Sequence, residues 1–159
     1  MKKNSMSIAI ALLLTAFLAS IMFAVSASAG EKPLRGSFQA VETADGAFPT
    51  AFVDGSGSGN ATHLGQFVFS YEAEVNLNTG FGKVSAHYVA ANGDSLFAEG
   101  SGQLTPTETP NIATIMEEYE IKDGMGRFAG ATGSFTVKRV LNHETGDTSG
   151  TIDGKIAMP

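Results

Sequence analysis

From residue 30 onward, apolar and polar residues alternate with a period of two in several short runs. Phe67, Phe69, Tyr71, Ala73, Val75 and Leu77 share one face of a run, and Gln66, Ser70, Glu72, Glu74 and Asn76 take the other. Val68 is the exception. Near the C-terminus Ile152, Gly154, Ile156 and Met158 face one way while Thr151, Asp153 and Lys155 face the other. Successive side chains of an extended strand point to opposite faces, so a dry face backed by a wet one predicts antiparallel strands. Turn residues separate the runs: Asp45-Gly46, Asp54-Gly55-Ser56-Gly57, Asn78-Thr79-Gly80, Asn92-Gly93-Asp94, Asp123-Gly124 and Thr145-Gly146-Asp147. Gly and Asn tolerate the positive φ that tight hairpins demand. The spacing predicts eight strands near 34–42, 57–63, 66–77, 81–90, 95–104, 112–122, 133–142 and 148–157. Glycines inside these runs (Gly82, Gly100, Gly102, Gly154) are expected to mark bends or bulges, as a closing barrel needs.

The run 112–122 also carries helix signals. Pro110 stands at a first-turn position, Lys122 near the end, and Gly124 just beyond. Ile115, Tyr119 and Ile121 nevertheless alternate with Thr114, Glu118 and Glu120; this alternation, together with the family resemblance given below, favours the strand.

The first 29 residues follow another pattern. Lys2 and Lys3 precede a nearly unbroken apolar stretch from Ile8 to Val25, and Ala27-Ser28-Ala29 supplies small residues for cleavage. A basic start, an apolar middle and an A-x-A site predict a secretory signal over 1–29, cleaved before Gly30. The alternative is an uncleaved anchor, since the stretch approaches the ~18 apolar residues that can span a bilayer. Secreted or periplasmic residence follows, with no expected membrane attachment after cleavage. Residues 30–159 then form one β domain, long enough to bury a core without disulfides or metals.

Composition removes several functions. There is no Cys, which excludes a disulfide scaffold, a thiolate metal site and a Cys nucleophile. The net charge is −6, and loss of Lys2 and Lys3 makes the mature chain more acidic still. Nucleic-acid binding needs a basic footprint to displace phosphate counterions, and no basic cluster exceeds Lys138-Arg139. No G-x-S-x-G nucleophile elbow is present. Gly124 to Ala129 fits G-x-G-x-x-A, but a dinucleotide fingerprint needs a helix directly afterwards, and a strand-like run follows instead. Arg127 and Phe128 are expected to close a tight turn, Phe inward and Arg at the rim. Asn60-Ala61-Thr62 matches a glycosylation sequon whose meaning depends on the source.

Three segments are distinctive together: Gly59-Asn60-Ala61-Thr62-His63-Leu64-Gly65, Ala91-Asn92-Gly93-Asp94-Ser95-Leu96-Phe97, and Gly124-Met125-Gly126-Arg127-Phe128-Ala129-Gly130-Ala131-Thr132-Gly133-Ser134-Phe135. They resemble a group of small secreted bacterial proteins with an allene oxide cyclase-like barrel, a fold shared with plant dirigent proteins. The resemblance covers most of the mature chain. It implies an all-β domain, a single eight-stranded antiparallel β-barrel, with trimers among the plant relatives. The plant enzymes bind hydrophobic substrates in the barrel and guide cyclisation or coupling. Their catalytic residues do not map onto positions here, and fold alone does not settle function.

Two charges break the alternation. Glu117 shares a face with Ala113, Ile115, Tyr119 and Ile121; Arg139 lies between Val137 and Leu141. A carboxylate on an apolar face is costly unless paired. The strands are consecutive, so a Glu117–Arg139 pair inside the barrel is expected. It would anchor a ligand or poise an acid or base; the plainer reading is an ion pair that fixes register. Tyr119 is a third candidate contact. His63 is a fourth, from the turn at Thr62-His63-Leu64. His63, His87 and His143 lack metal-ligand spacing, so neither a metal nor a cofactor is expected.

Three functions remain. The first is binding of a small, mostly apolar ligand within the barrel, with a polar group reaching Glu117, Tyr119 or Arg139. The second is a cofactor-free cyclase or isomerase. The third is a non-catalytic structural or stress-related secreted protein with a filled barrel. The interior volume beside Glu117 and Arg139 separates them: an open apolar cavity of roughly a few hundred cubic ångströms supports the first two, and a packed interior removes both. Apolar residues on both faces of 81–90 (Phe81 and Val89; Val84, Ala86 and Tyr88) also suggest an outer surface covered by another subunit.

Overall fold

A computed structural model describes residues 30–159; the expected signal segment lies outside the described residues. Eight strands run up and down: β1 (Lys32–Ala47), β2 (Thr50–Ala61), β3 (Gly65–Asn76), β4 (Phe81–Ala90), β5 (Ser95–Pro106), β6 (Ile112–Met125), β7 (Thr132–Asn142) and β8 (Asp147–Ala157). Each pairs antiparallel with its neighbour, and β1 closes on β8 to complete the barrel. The alternation dictates which way the strands face. Phe67, Phe69 and Tyr71 point inward, and Val68 stands exposed on the outside. The run 112–122 is strand. Its alternation outweighs the helix signals because both edges are hydrogen-bonded, to β5 and to β7.

Four expectations fail. Asp45-Gly46 is not a turn but part of β1, paired with Phe52 and Ala51 of β2. Asp54-Gly55-Ser56-Gly57 is not a turn but the middle of β2, paired on both sides. The hairpin lies earlier, at Phe48-Pro49, so β1 and β2 are both longer than the spacing implied. Likewise Asp123-Gly124 falls inside β6. Nor do the strand glycines mark the bulge: the one register shift between β5 and β6 falls at Phe97/Ala98. What the inward glycines provide is room. Large and small residues alternate across the interior of a small barrel to fill its taper, and several glycines face a large side chain on the next strand.

The interior is filled. Phe38, Phe67, Phe69, Tyr71, Tyr88, Tyr119 and Phe135 form one aromatic column. Phe38 meets Phe69 edge-on at 5.1 Å between ring centroids, and Tyr119 stacks on Phe135 at 5.0 Å. Such contacts add ~0.5–1.5 kcal/mol each beyond area burial. The end carrying the β2–β3, β4–β5 and β6–β7 connections is plugged. A 3₁₀ turn, Gly126–Phe128, places Phe128 fully out of solvent among Leu34, Leu96 and Ile156, which are as deeply buried. Arg127 stays at the rim, donating to the Leu64 carbonyl at 3.3 Å and pairing with Asp94 at 3.3 Å. The turn expected for this segment is therefore present.

Candidate functional site

The opposite end carries the β1–β2, β3–β4, β5–β6 and β7–β8 turns, and here the barrel has an opening of about 50 Å³. Its walls are Val53, Val75, Val84, Leu104 and Ile115; Glu42, Glu117 and Arg139 lie at its base. Below them a residual void of only about 10 Å³ separates the base from the aromatic column.

Glu117 and Arg139 meet as expected. Register sets Glu117 opposite Val137 and Ile115 opposite Arg139, so the two charges are diagonal neighbours on one inward face. Arg139 donates from Nη2 to Glu117 Oε1 at 3.1 Å and from Nε to Oε2 at 3.3 Å, a two-point fork. The pair is part of a larger group. Arg139 Nη1 donates to Glu42 Oε2 at 2.5 Å and to Thr148 Oγ1 at 3.4 Å. The Tyr71 hydroxyl donates to the same Glu42 oxygen at 2.5 Å, and the Tyr71 ring lies 5.2 Å from the guanidinium carbon. The three charged side chains are 6–7 % exposed.

Glycine makes this assembly sterically possible. Glu42, Gly55 and Tyr71 occupy one register row across β1, β2 and β3. A Cβ at Gly55 would stand 2.1 Å from the Tyr71 ring, so only glycine lets the phenol cross β2 to Glu42. Gly102 does the same on β5: its Cβ would fall 2.4 Å from Glu117 Cγ.

Electrostatics keeps Arg139 charged and Tyr71 protonated. Burial disfavours the Arg139 cation, but Glu117 and Glu42 outweigh it and hold the guanidinium above its ordinary value. Burial pushes the Tyr71 phenol well up; Arg139 opposes this, and the hydrogen bond to Glu42 adds to it. Tyr88 and Tyr119 are likewise raised, by burial first and then by the Glu117 charge.

The four expected contact residues are not all brought together. Glu117 and Arg139 form the centre of the network. Tyr119 is buried beside Glu117, on the column side, where it lines the small void rather than the opening. His63 does not join them: it sits at φ 67° in the β2–β3 turn, at the plugged end. Among the described residues no group of three His, Asp or Glu could hold a metal ion. Three members were missed, Glu42, Tyr71 and Thr148. Tyr71 looked like one more inward aromatic. Glu42 fell at the expected end of β1, where a carboxylate breaks no rule; with β1 extended to Ala47 it continues the inward series Leu34, Phe38, Ala40 and is as anomalous as Glu117.

No family model, no curated protein and no solved structure matches this chain.

Proposed function

We propose that this is an exported barrel protein that takes a small, mostly apolar molecule at its open end, over the Glu42–Arg139–Glu117–Tyr71 network. One observation carries the reading: charges are buried directly beneath an apolar-walled opening. A buried ion group contributes less to stability than well-packed apolar residues of the same volume. Filling a barrel does not require it; fixing strand register or orienting a bound polar group does. The opening also limits the ligand. Enclosed sites for drug-sized molecules need ~300–1,000 Å³, so the expected binding within the barrel has no room, and the molecule proposed here inserts only a head group and rests its body on the rim. Phe48 and Leu77, both exposed, stand on adjoining turns at that end, joined by the Leu77 amide donating to the Pro49 carbonyl at 2.7 Å.

The closed eight-stranded barrel agrees with what the allene oxide cyclase-like resemblance implies, and kinship with that group is part of the proposal. So are export by residues 1–29 and self-association through the outer face of β4. A cyclase or isomerase role has less support, because a substrate would have no chamber beside Glu117. The second reading is a non-catalytic structural protein, favoured by the filled aromatic column. The outward Ser, Thr, Asp and Glu of the strands suit a barrel folded in water, unlike the apolar outer band of a membrane barrel.

A fragment screen by methyl NMR separates the two readings. Shifts at Val53, Val75, Val84, Leu104 and Ile115 support binding at the opening. Shifts confined to the outer face, or none, favour the structural reading.

A further inference from the structure

We infer that the open end selects a cation, specifically a primary ammonium group on a short apolar chain; this rests on the opening being a binding site. The argument is an inventory of donors and acceptors. A guanidinium has five N–H donors. Four are engaged: one from Nε and one from Nη2 with Glu117, and two from Nη1 with Glu42 and Thr148. Each Glu117 oxygen accepts one of them. Glu42 is lopsided: Oε2 accepts from both Arg139 and Tyr71, while Oε1 accepts from nothing among the described residues. The Glu42 side chain is nonetheless 7 % exposed and lines the opening. No buried side-chain oxygen or nitrogen among the described residues lacks a partner, so this free oxygen is reached by solvent through the opening and is available to whatever enters.

Charge points the same way. Two carboxylates and one guanidinium sum to −1 at the base of an apolar-walled opening. Lys83 also borders the opening, but it is directly opposite Glu74 on the outer face of the β3–β4 pair. An entering carboxylate would meet the excess negative charge, with a single unused Arg139 N–H to set against it. An alcohol would satisfy the free oxygen but not the charge. An ammonium does both, and a charge-assisted bond is about twice as strong as a neutral one. Size agrees: about 50 Å³ admits a head group near the ~30 Å³ of a water molecule, not a ring. Val53, Val75, Val84, Leu104 and Ile115 would surround the inserted end, and the rest of the alkyl chain would lie on the rim.

The test compares n-butylammonium, n-butanol and n-butyrate at pH 7 and constant ionic strength, titrated into the purified protein and followed by methyl NMR. Butylammonium is expected to shift the methyl groups of the opening and to bind about tenfold more tightly than butanol, with butyrate weaker still. Glu42→Gln keeps an acceptor for Tyr71 and Arg139 and is expected to narrow the amine–alcohol gap; the wild-type ranking carries the test if that variant does not fold. Butanol or butyrate binding at the opening as well as the amine does, or an unchanged gap in Glu42→Gln, overturns the cation preference and leaves the opening as a binding site. If none of the three shifts those methyl groups, both the preference and the binding site fall.

Discussion

Arg139→Met removes the one cation in a buried group of three charges while keeping much of the apolar volume. The Glu42 and Glu117 carboxylates, each 6–7 % exposed, then face one another with no positive charge between them. Unit charges about 4 Å apart interact by ~4 kcal/mol at an effective dielectric of ~20. Removing one partner of a buried ion group costs ~3–5 kcal/mol. Against a domain stability of ~5–15 kcal/mol, that is a large share. With a urea dependence of ~2 kcal/mol per molar, the unfolding midpoint should fall by roughly 1.5–2.5 M. Circular dichroism during urea titration reads this directly. The triple variant Glu42→Gln, Glu117→Met, Arg139→Met carries no charge and leaves Tyr71 an acceptor. It should recover most of the loss, because the cost lies in stranded charge and not in lost shape. A loss below about 1 kcal/mol in Arg139→Met would mean that water reaches the carboxylates and the network is not dry. A triple variant as unstable as the single one would assign the loss to packing.

Three other predictions follow from the same interior. All three tyrosines of the chain are buried with raised phenol pKa values, so the folded state keeps protons that the unfolded chain loses near pH 10. Stability from this source is complete below pH 10 and falls above it by about 1.4 kcal/mol per pH unit per tyrosine; phenolate absorbance should rise only together with loss of circular dichroism, and ionisation at pH 10 in a still-folded protein would refute it. Gly55→Ala puts a methyl group 2.1 Å from the Tyr71 ring and should cost ~1–3 kcal/mol in urea unfolding, with loss of the Tyr71–Glu42 bond in the NMR spectrum. Phe128→Ala unplugs the closed end and should cost ~3–5 kcal/mol, with increased dye binding to exposed apolar surface; an unchanged midpoint would show that the plug contributes nothing.

The sequence by itself determined the strand content and the inward faces, because a period of two is a local property of each run. It identified β6 as a strand despite Pro110 and Gly124, and it marked Glu117 and Arg139, because a charge in an apolar series is visible without coordinates. It also placed Phe128 inward and Arg127 at the rim. Only the tertiary structure decided what the in-strand glycines do. Asp54-Gly55-Ser56-Gly57 has turn composition, and nothing local shows that Gly55 lies in a register row between Glu42 and Tyr71. That row depends on pairing β2 with β1 and β3 at once. Glu42 was hidden for the same reason: its strand continues past residue 42 only because β2 is there to pair with it. Interior volume was equally illegible, since a filled barrel and an open one share the same alternation. Whether the aromatic rings meet across the axis depends on barrel closure, a property of all eight strands together.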